Sequence, residues 1–151
     1  MTDFRVRKTS HTGITVSDID RSLAFYRDVL GFDVTEKKSH GGPFFESVTG
    51  VAGVQMEIAY VKAPGHEIEL LHYLNPHGAN STLRPCDPGF LHIAFMVENI
   101  DGVINAVEKA GFKAMTSPAP TKPEGYRAGW RAVYTRDPDG VVLEFMEAAK
   151  D

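Results

Sequence analysis

Hydrophobic positions fall into two successive blocks with the same rhythm. In the first block Ile14 and Val16 alternate with Thr15 and Ser17, the period-two pattern of a half-buried strand, which predicts a strand over residues 9–17. Ile19, Leu23, Phe25, Tyr26, Val29 and Leu30 then recur at helical spacing. They predict an amphipathic helix that Ser17 or Asp18 caps and Gly31 stops. Residues 32–39, 54–61 and 67–73 read as three strands, with Ala63-Pro64-Gly65 as the turn between the last two. The Gly-rich stretch 40–53 reads as a loop. After a polar, Pro- and Gly-rich linker the rhythm returns. Residues 90–97 predict a strand. Asn99 caps a helix with Ile100, Val103, Ile104 and Val107 on one face, and Gly111 ends it. A short strand over 112–116, a loop over 117–129 and a hairpin of 130–136 with 141–147 follow. The hairpin crosses Asp137-Pro138-Asp139-Gly140, a strong turn signal. The sequence therefore predicts an α+β fold of two βαβββ modules, residues 9–73 and 90–147 joined by linker 74–89, in one compact domain. Each module would fold half of a paired half-barrel.

The repeat extends to chemistry. Each block opens on a histidine, His11 and His92, an offset of 81 residues, and the pairs Gly31-Phe32 and Gly111-Phe112 are offset by 80. Each block also closes on an apolar strand with one acid, Glu69 in Ile68-Glu69-Leu70-Leu71 and Glu144 in Val142-Leu143-Glu144-Phe145. A single His or Glu on a strand is ordinarily structural or solvent-facing. Matched positions in two copies change that expectation. Two imidazole nitrogens and two carboxylates gathered in an apolar barrel make electrostatic sense around a divalent cation. The expected ligands are His11, Glu69, His92 and Glu144, and such a set suits Zn, Ni, Co, Mn or Fe(II) without choosing among them.

Composition narrows the setting. Hydrophobic residues make up 42% of the 151 and the formal net charge is −4, with no basic cluster, which argues against nucleic acid and anionic membrane as partners. The lone Cys86 excludes an intramolecular disulfide, and its Arg84-Pro85-Cys86-Asp87-Pro88-Gly89 setting reads as a loop with an incidental thiol. No apolar run approaches the length of a membrane helix and no signal segment precedes the first strand, so a cytoplasmic location is expected.

The paired modules and the His, Glu, His, Glu order resemble the vicinal oxygen chelate superfamily, which includes glyoxalase I, methylmalonyl-CoA epimerase, extradiol dioxygenases, fosfomycin-modifying enzymes and bleomycin-binding proteins. The matching motifs are His11-x-Gly13-Ile14-x-Val16-x-Asp18-Ile19-Asp20 with Phe25-Tyr26 and Leu30-Gly31-Phe32, then Ile68-Glu69-Leu70-Leu71, Gly89-x-x-His92-Ile93-Ala94-Phe95, and Asp137-Pro138-Asp139-Gly140-x-x-x-Glu144. They run from about Thr9 to Glu147 and are specific for the superfamily, not for a reaction. Glu69 resembles the second ligand of glyoxalase I and the epimerases, where extradiol dioxygenases usually carry His. The resemblance therefore implies a metal-dependent isomerase, epimerase or lyase that works through a metal-stabilised enolate. An extradiol-type dioxygenase using Fe(II) or Mn(II) and a non-catalytic small-molecule binder are the alternatives. Thr15 and Tyr73 stand where glyoxalase I-like proteins usually hold glutathione, which argues against a glutathione hemithioacetal as substrate. Leu91 stands where epimerases usually carry a second His. A homodimer and a small-molecule substrate with vicinal oxygens or an acyl-thioester carbonyl are also implied.

A base must remove the proton. Glu144 is one candidate. Glu57 is a second if Val61 lies opposite Glu67, because Glu57 would then share a strand face with Glu69. The same alternation puts Tyr73 on the face of Glu69, Met96 on that of His92 and Met146 on that of Glu144. Arg127 and Arg131 lie near the last hairpin and could anchor an anionic group bidentately. His40, His66, His72 and His77 read as loop or strand-end residues.

Overall fold

The β-branched and aromatic runs form strands largely where the period-two pattern places them. The computed structural model describes residues 4–79, 83–116 and 121–150. Its strands are β1 (Thr12–Thr15), β2 (Asp33–Val34), β3 (Lys38–Gly41), β4 (Gln55–Ala63), β5 (His66–Asn75), β6 (His92–Met96), β7 (Arg131–Arg136) and β8 (Val142–Glu147). Its helices are α1 (Ile19–Ala24, continued by a π-helical turn over Phe25–Val29), α2 (Pro43–Thr49) and α3 (Ile100–Lys109). The fold is α+β, with two mixed sheets.

In one sheet β1 runs parallel to β5, β5 pairs antiparallel with β4, and both β2 and β3 pair with β4. In the other β6 runs parallel to β8 and β7 pairs antiparallel with β8. The two sheets repeat each other: a His-bearing first strand lies parallel to the Glu-bearing last strand, whose other edge takes the antiparallel partner. One face of each sheet is closed. Ala59, Val61, Ile68 and Leu70 are buried in the first, and Val133, Leu143 and Phe145 in the second.

Two departures from the expected elements have clear causes. The stretch 40–53 was expected as a loop but holds α2. Gly and Pro punctuate a short helix as readily as a loop: Gly42 precedes it, Pro43 starts it, and Gly50 closes it at φ 70° with its N–H donating to the Glu46 carbonyl at 2.8 Å. The expected strand over 112–116 is reduced to a bridge of Ala114 with Thr135, beside the Met115 N–H on the Tyr134 carbonyl at 2.7 Å. Asn99 caps α3 as expected, its Oδ1 accepting the Gly102 N–H at 2.9 Å.

The chain divides into two compact units, Met1–Ile19 with Phe32–His77, and Asp20–Gly31 with Gly78–Asp151. The segment 20–31 was expected to belong with the first module, but its contacts group it with the second half. Phe25 meets Phe112 edge to face, with centroids 4.9 Å apart. Arg21 pairs with Asp139 at 2.9 Å, and Ser22 Oγ donates to the same carboxylate at 3.3 Å. The buried Tyr26 hydroxyl donates to Asp137 at 3.0 Å. Asp137 also accepts the N–H groups of Asp139 and Val141, so one carboxylate holds both the β7–β8 turn and the helix.

Burial pushes the Asp137 carboxyl up, against the pull of these hydrogen bonds, and pushes the Tyr26 hydroxyl well above its ordinary value. A raised folded-state pKa means the native protein holds the Asp137 proton more tightly than the unfolded chain. Its contribution is therefore complete below the ordinary carboxylate pKa and declines as pH rises through the raised value. Tyr26→Phe removes a donor from this carboxylate and is expected to cost about 1–3 kcal/mol in urea denaturation. The cost should be larger at neutral pH, where the acceptor is ionised, than in acid. Among the described residues no helix is long and apolar enough to cross a membrane.

Candidate functional site

The parallel register of β1 with β5 puts Gly13 opposite Glu69, so His11, two residues earlier, rises on the same face as Glu69. Their side chains meet, with His11 Nε2 3.3 Å from Glu69 Oε2. The register of β6 with β8 puts Ala94 opposite Glu144 and brings His92 Nε2 to 3.1 Å from Glu144 Oε2. Each unit thus presents one imidazole–carboxylate pair, with a small residue opposite each Glu. Both pairs are partly open to solvent. Among the described residues no group of three or more His, Cys, Asp or Glu side chains lies close enough to hold a metal ion.

A third residue belongs to each pair. Tyr60 on β4 lies opposite Glu69, and Tyr134 on β7 opposite Glu144. Tyr60 donates its hydroxyl to Glu69 Oε1 at 2.6 Å. That bond, with some burial and the charges of Glu69 and Glu67, pushes the Tyr60 hydroxyl up to about 12. The Tyr60 ring also meets His11 edge to face at 6.3 Å and walls a cavity of about 340 Å³ with His40 and Ile58. Tyr134 behaves differently. Its ring lies over that of His92, centroids 5.2 Å apart, and its hydroxyl, raised by burial and by the charge of Glu144, makes no hydrogen bond to that carboxylate. Glu69 is therefore clamped by a phenol, and Glu144 is not.

Sequence reasoning missed both tyrosines. The signal was the turn at 63–66, where Pro64 and Gly65 fill the two central positions, Gly65 with φ 73°, so Ala63 faces His66. This register is one residue away from the expected one. It corrects the placement of Glu57, which lies opposite His72 and therefore on the face away from Glu69. There Glu57 pairs with Lys37 and His72, each at 3.4 Å.

Tyr73 does share the face of Glu69, where it packs against the buried cluster of Val54, Met56 and Ile58. Met96 lies on the His92 face and is exposed. Met146, Glu144, Arg127 and Arg131 all border one cavity of about 490 Å³. Arg131, however, sits opposite Glu147 in the register and so faces away from Glu144. Its guanidinium is bidentate on Asp101 at 2.6 and 2.7 Å and reaches Glu147 at 3.4 Å. That engagement corrects its expected role as an anion anchor.

The sequence of residues 8–145 matches the family model of the glyoxalase/bleomycin resistance protein/dioxygenase superfamily. The chain belongs to this superfamily. It is similar to the "Probable lactoylglutathione lyase" of Synechocystis sp., with 29% identity over 92% of this chain and 94% of that protein. It is also similar to the ethylmalonyl-CoA/methylmalonyl-CoA epimerase of Cereibacter sphaeroides, with 28% identity over 76% and 79% of the two chains. In structure it resembles a glyoxalase family protein from Bacillus cereus, with a TM-score of 0.83 over 99% of both chains at 23% identity. This likeness shows the superfamily fold. The superfamily sets the context for the repeated His–Glu pairs but leaves the reaction open, since one scaffold hosts many chemistries.

Proposed function

We propose that the chain is a metal-dependent enzyme of the vicinal oxygen chelate type that moves a proton beside a carbonyl, as an isomerase, epimerase or lyase. Its ligands are His11, Glu69, His92 and Glu144, taking one divalent ion. The donor chemistry fits. Each pair sets one imidazole nitrogen beside one carboxylate oxygen, 3.3 Å apart in the first and 3.1 Å in the second, and these are the donor types a divalent ion of this kind takes. When bound, a divalent cation supplies positive charge at a substrate carbonyl and makes the neighbouring C–H more acidic.

The observation that carries the proton-transfer reading is the unequal treatment of the two glutamates. Tyr60 fixes Glu69 through a short hydrogen bond, which suits a permanent ligand whose orientation is set from outside. Glu144 has no such clamp and opens onto the 490 Å³ cavity, which suits a carboxylate that swings to accept and return a proton. Met146 lines that cavity beside it, while Met96 and Tyr73 are proposed to meet substrate from the faces of His92 and Glu69. The names lactoylglutathione lyase and acyl-CoA epimerase among the relatives support reactions of this class. A small-molecule substrate with vicinal oxygens or an acyl-thioester carbonyl, a homodimer and a cytoplasmic location belong to the same reading.

The deciding experiment is metal analysis of the purified protein together with solvent-deuterium exchange into 2-hydroxy-ketone and acyl-thioester substrates. Zn, Ni or Co with exchange at the α-carbon supports the proposal. Iron or manganese with oxygen uptake and no exchange overturns it in favour of ring cleavage. Tyr60→Phe is expected to weaken metal binding about 10–100-fold, the scale for losing a group that orients a ligand, as read by competition with a chromophoric chelator. Unchanged affinity would remove Tyr60 from the site.

A further inference from the structure

The segment leading into β7 is a closed loop that holds one arginine out. The Lys122 N–H donates to the Trp130 carbonyl at 2.7 Å and the Gly129 N–H to the Lys122 carbonyl at 2.8 Å, which pins the base. The Ala128 N–H on Gly125 at 2.9 Å and the Trp130 N–H on Arg127 at 3.2 Å fix the tip. Arg127 sits there with φ 65°, the positive-φ non-glycine residue among those described. A long side chain is strained in that conformation, so the loop sets its direction at a cost.

The Arg127 guanidinium is 4.7 Å from the Trp130 ring centroid and 5.2 Å from that of Tyr126. Its Nη1 is 3.7 Å from Met146 Sδ, two residues beyond Glu144 on the same face of β8. No carboxylate pairs with it among the described residues. The other two cations of that cavity have hydrogen-bond partners of their own. Lys122 Nζ donates to the Tyr126 carbonyl, and Arg131 is bidentate on Asp101. Glu144 is the acid among the residues that line the cavity.

We propose that Arg127 binds a carboxylate carried by the substrate and so selects anionic substrates, an inference that rests on the reading of Glu144 as the reacting base. Aromatic rings beside a guanidinium limit its swing and leave its N–H edge for a partner. That edge matches the two oxygens of a carboxylate bidentately. One planar guanidinium suits one carboxylate. A phosphate dianion would call on a second cation; Arg131 is held by Asp101 and Glu147, so that charge would have to come from the Lys122 ammonium, which would first leave the Tyr126 carbonyl. Arg127 acts as a specificity-determining residue, holding the substrate so that its carbonyl end lies within reach of Glu144.

Trp130 is the chain's single tryptophan, so its fluorescence reports directly on the neighbouring guanidinium. The metal-loaded protein and the chelator-treated protein are each titrated with propionate, propionamide and methylphosphonate. Wild type should respond saturably to propionate and not to propionamide, with or without metal. Arg127→Gln should weaken propionate about tenfold or more, on the scale of one charge-assisted hydrogen-bonded contact. Arg127→Lys should recover only part of it, since an ammonium lacks the planar fork. A propionate response that survives Arg127→Gln but disappears with the chelator places the anion on the metal. That result overturns this inference and leaves the proposed function standing. Retention of the Arg127-dependent response in protein that binds no metal supports the inference while the metal reading fails. Tighter binding of methylphosphonate than of propionate, or no response to either, overturns the assignment of a carboxylate.

Discussion

Replacing His92 or His11 by alanine is expected to leave the fold in place and strip most of the bound metal. Each histidine faces a carboxylate at 3.1–3.3 Å from a strand edge half open to solvent. Truncation there removes a donor without opening the buried face of either sheet. A ligand that binds only the folded state stabilises it by about 2.7 kcal/mol when present at a hundred times its dissociation constant. For a chain of this size that is about 5–10 °C of melting temperature. Metal-replete wild type should therefore melt that much higher than chelator-treated wild type. Each variant should melt near the treated protein whether or not metal is added. Equal metal content in wild type and both variants, measured by elemental analysis after dialysis, would show that the pairs are salt bridges and nothing more.

The pairs were legible because the chain states them twice. A single His on a strand carries little weight, but His11 and His92 recur with Glu69 and Glu144 in the same order, and the parallel registers of β1 with β5 and β6 with β8 place them alike. The tyrosines were not legible from that pattern, because their positions depend on hairpin register. One residue of slip at Pro64-Gly65 exchanges Ala59 for Tyr60 opposite Glu69 and carries Glu57 to the other face. Helix α2 was hidden by Gly42, Pro43 and Gly50, which serve a loop and a short helix equally well. The grouping of residues 20–31 with the second half was hidden for a different reason. It depends on contacts such as Tyr26 with Asp137 that lie 111 residues apart, and no local pattern encodes such a distance. Arg131 shows the same limit: its charge was visible, but its partner Asp101, 30 residues away, was not.

Glu144→Gln is expected to reduce exchange of the substrate α-hydrogen with solvent by about 10²–10⁴-fold, the usual contribution of a positioned general base. The glutamine keeps a carbonyl oxygen toward His92 and nearly the same volume in the cavity wall, so the loss should fall on proton transfer more than on packing. Because the change also weakens a ligand, the comparison holds only at matched metal occupancy. Glu69→Gln provides the contrast. Its carboxylate is clamped by Tyr60 at 2.6 Å, and on the proposed reading it would remain a ligand through the reaction, so the variant should lose metal affinity first and recover most exchange when metal is supplied in excess. The two variants therefore separate along different axes, one in rate at full occupancy and the other in occupancy at a given metal concentration. If excess metal restores Glu144→Gln as fully as Glu69→Gln, both glutamates are ligands only and the base must come from elsewhere. Glu57 would then need a route from the opposite face of β4, where Lys37 and His72 already hold it. Glu57→Gln is accordingly expected to leave exchange unchanged, and a loss there would mean that the strand register reorganises when substrate binds.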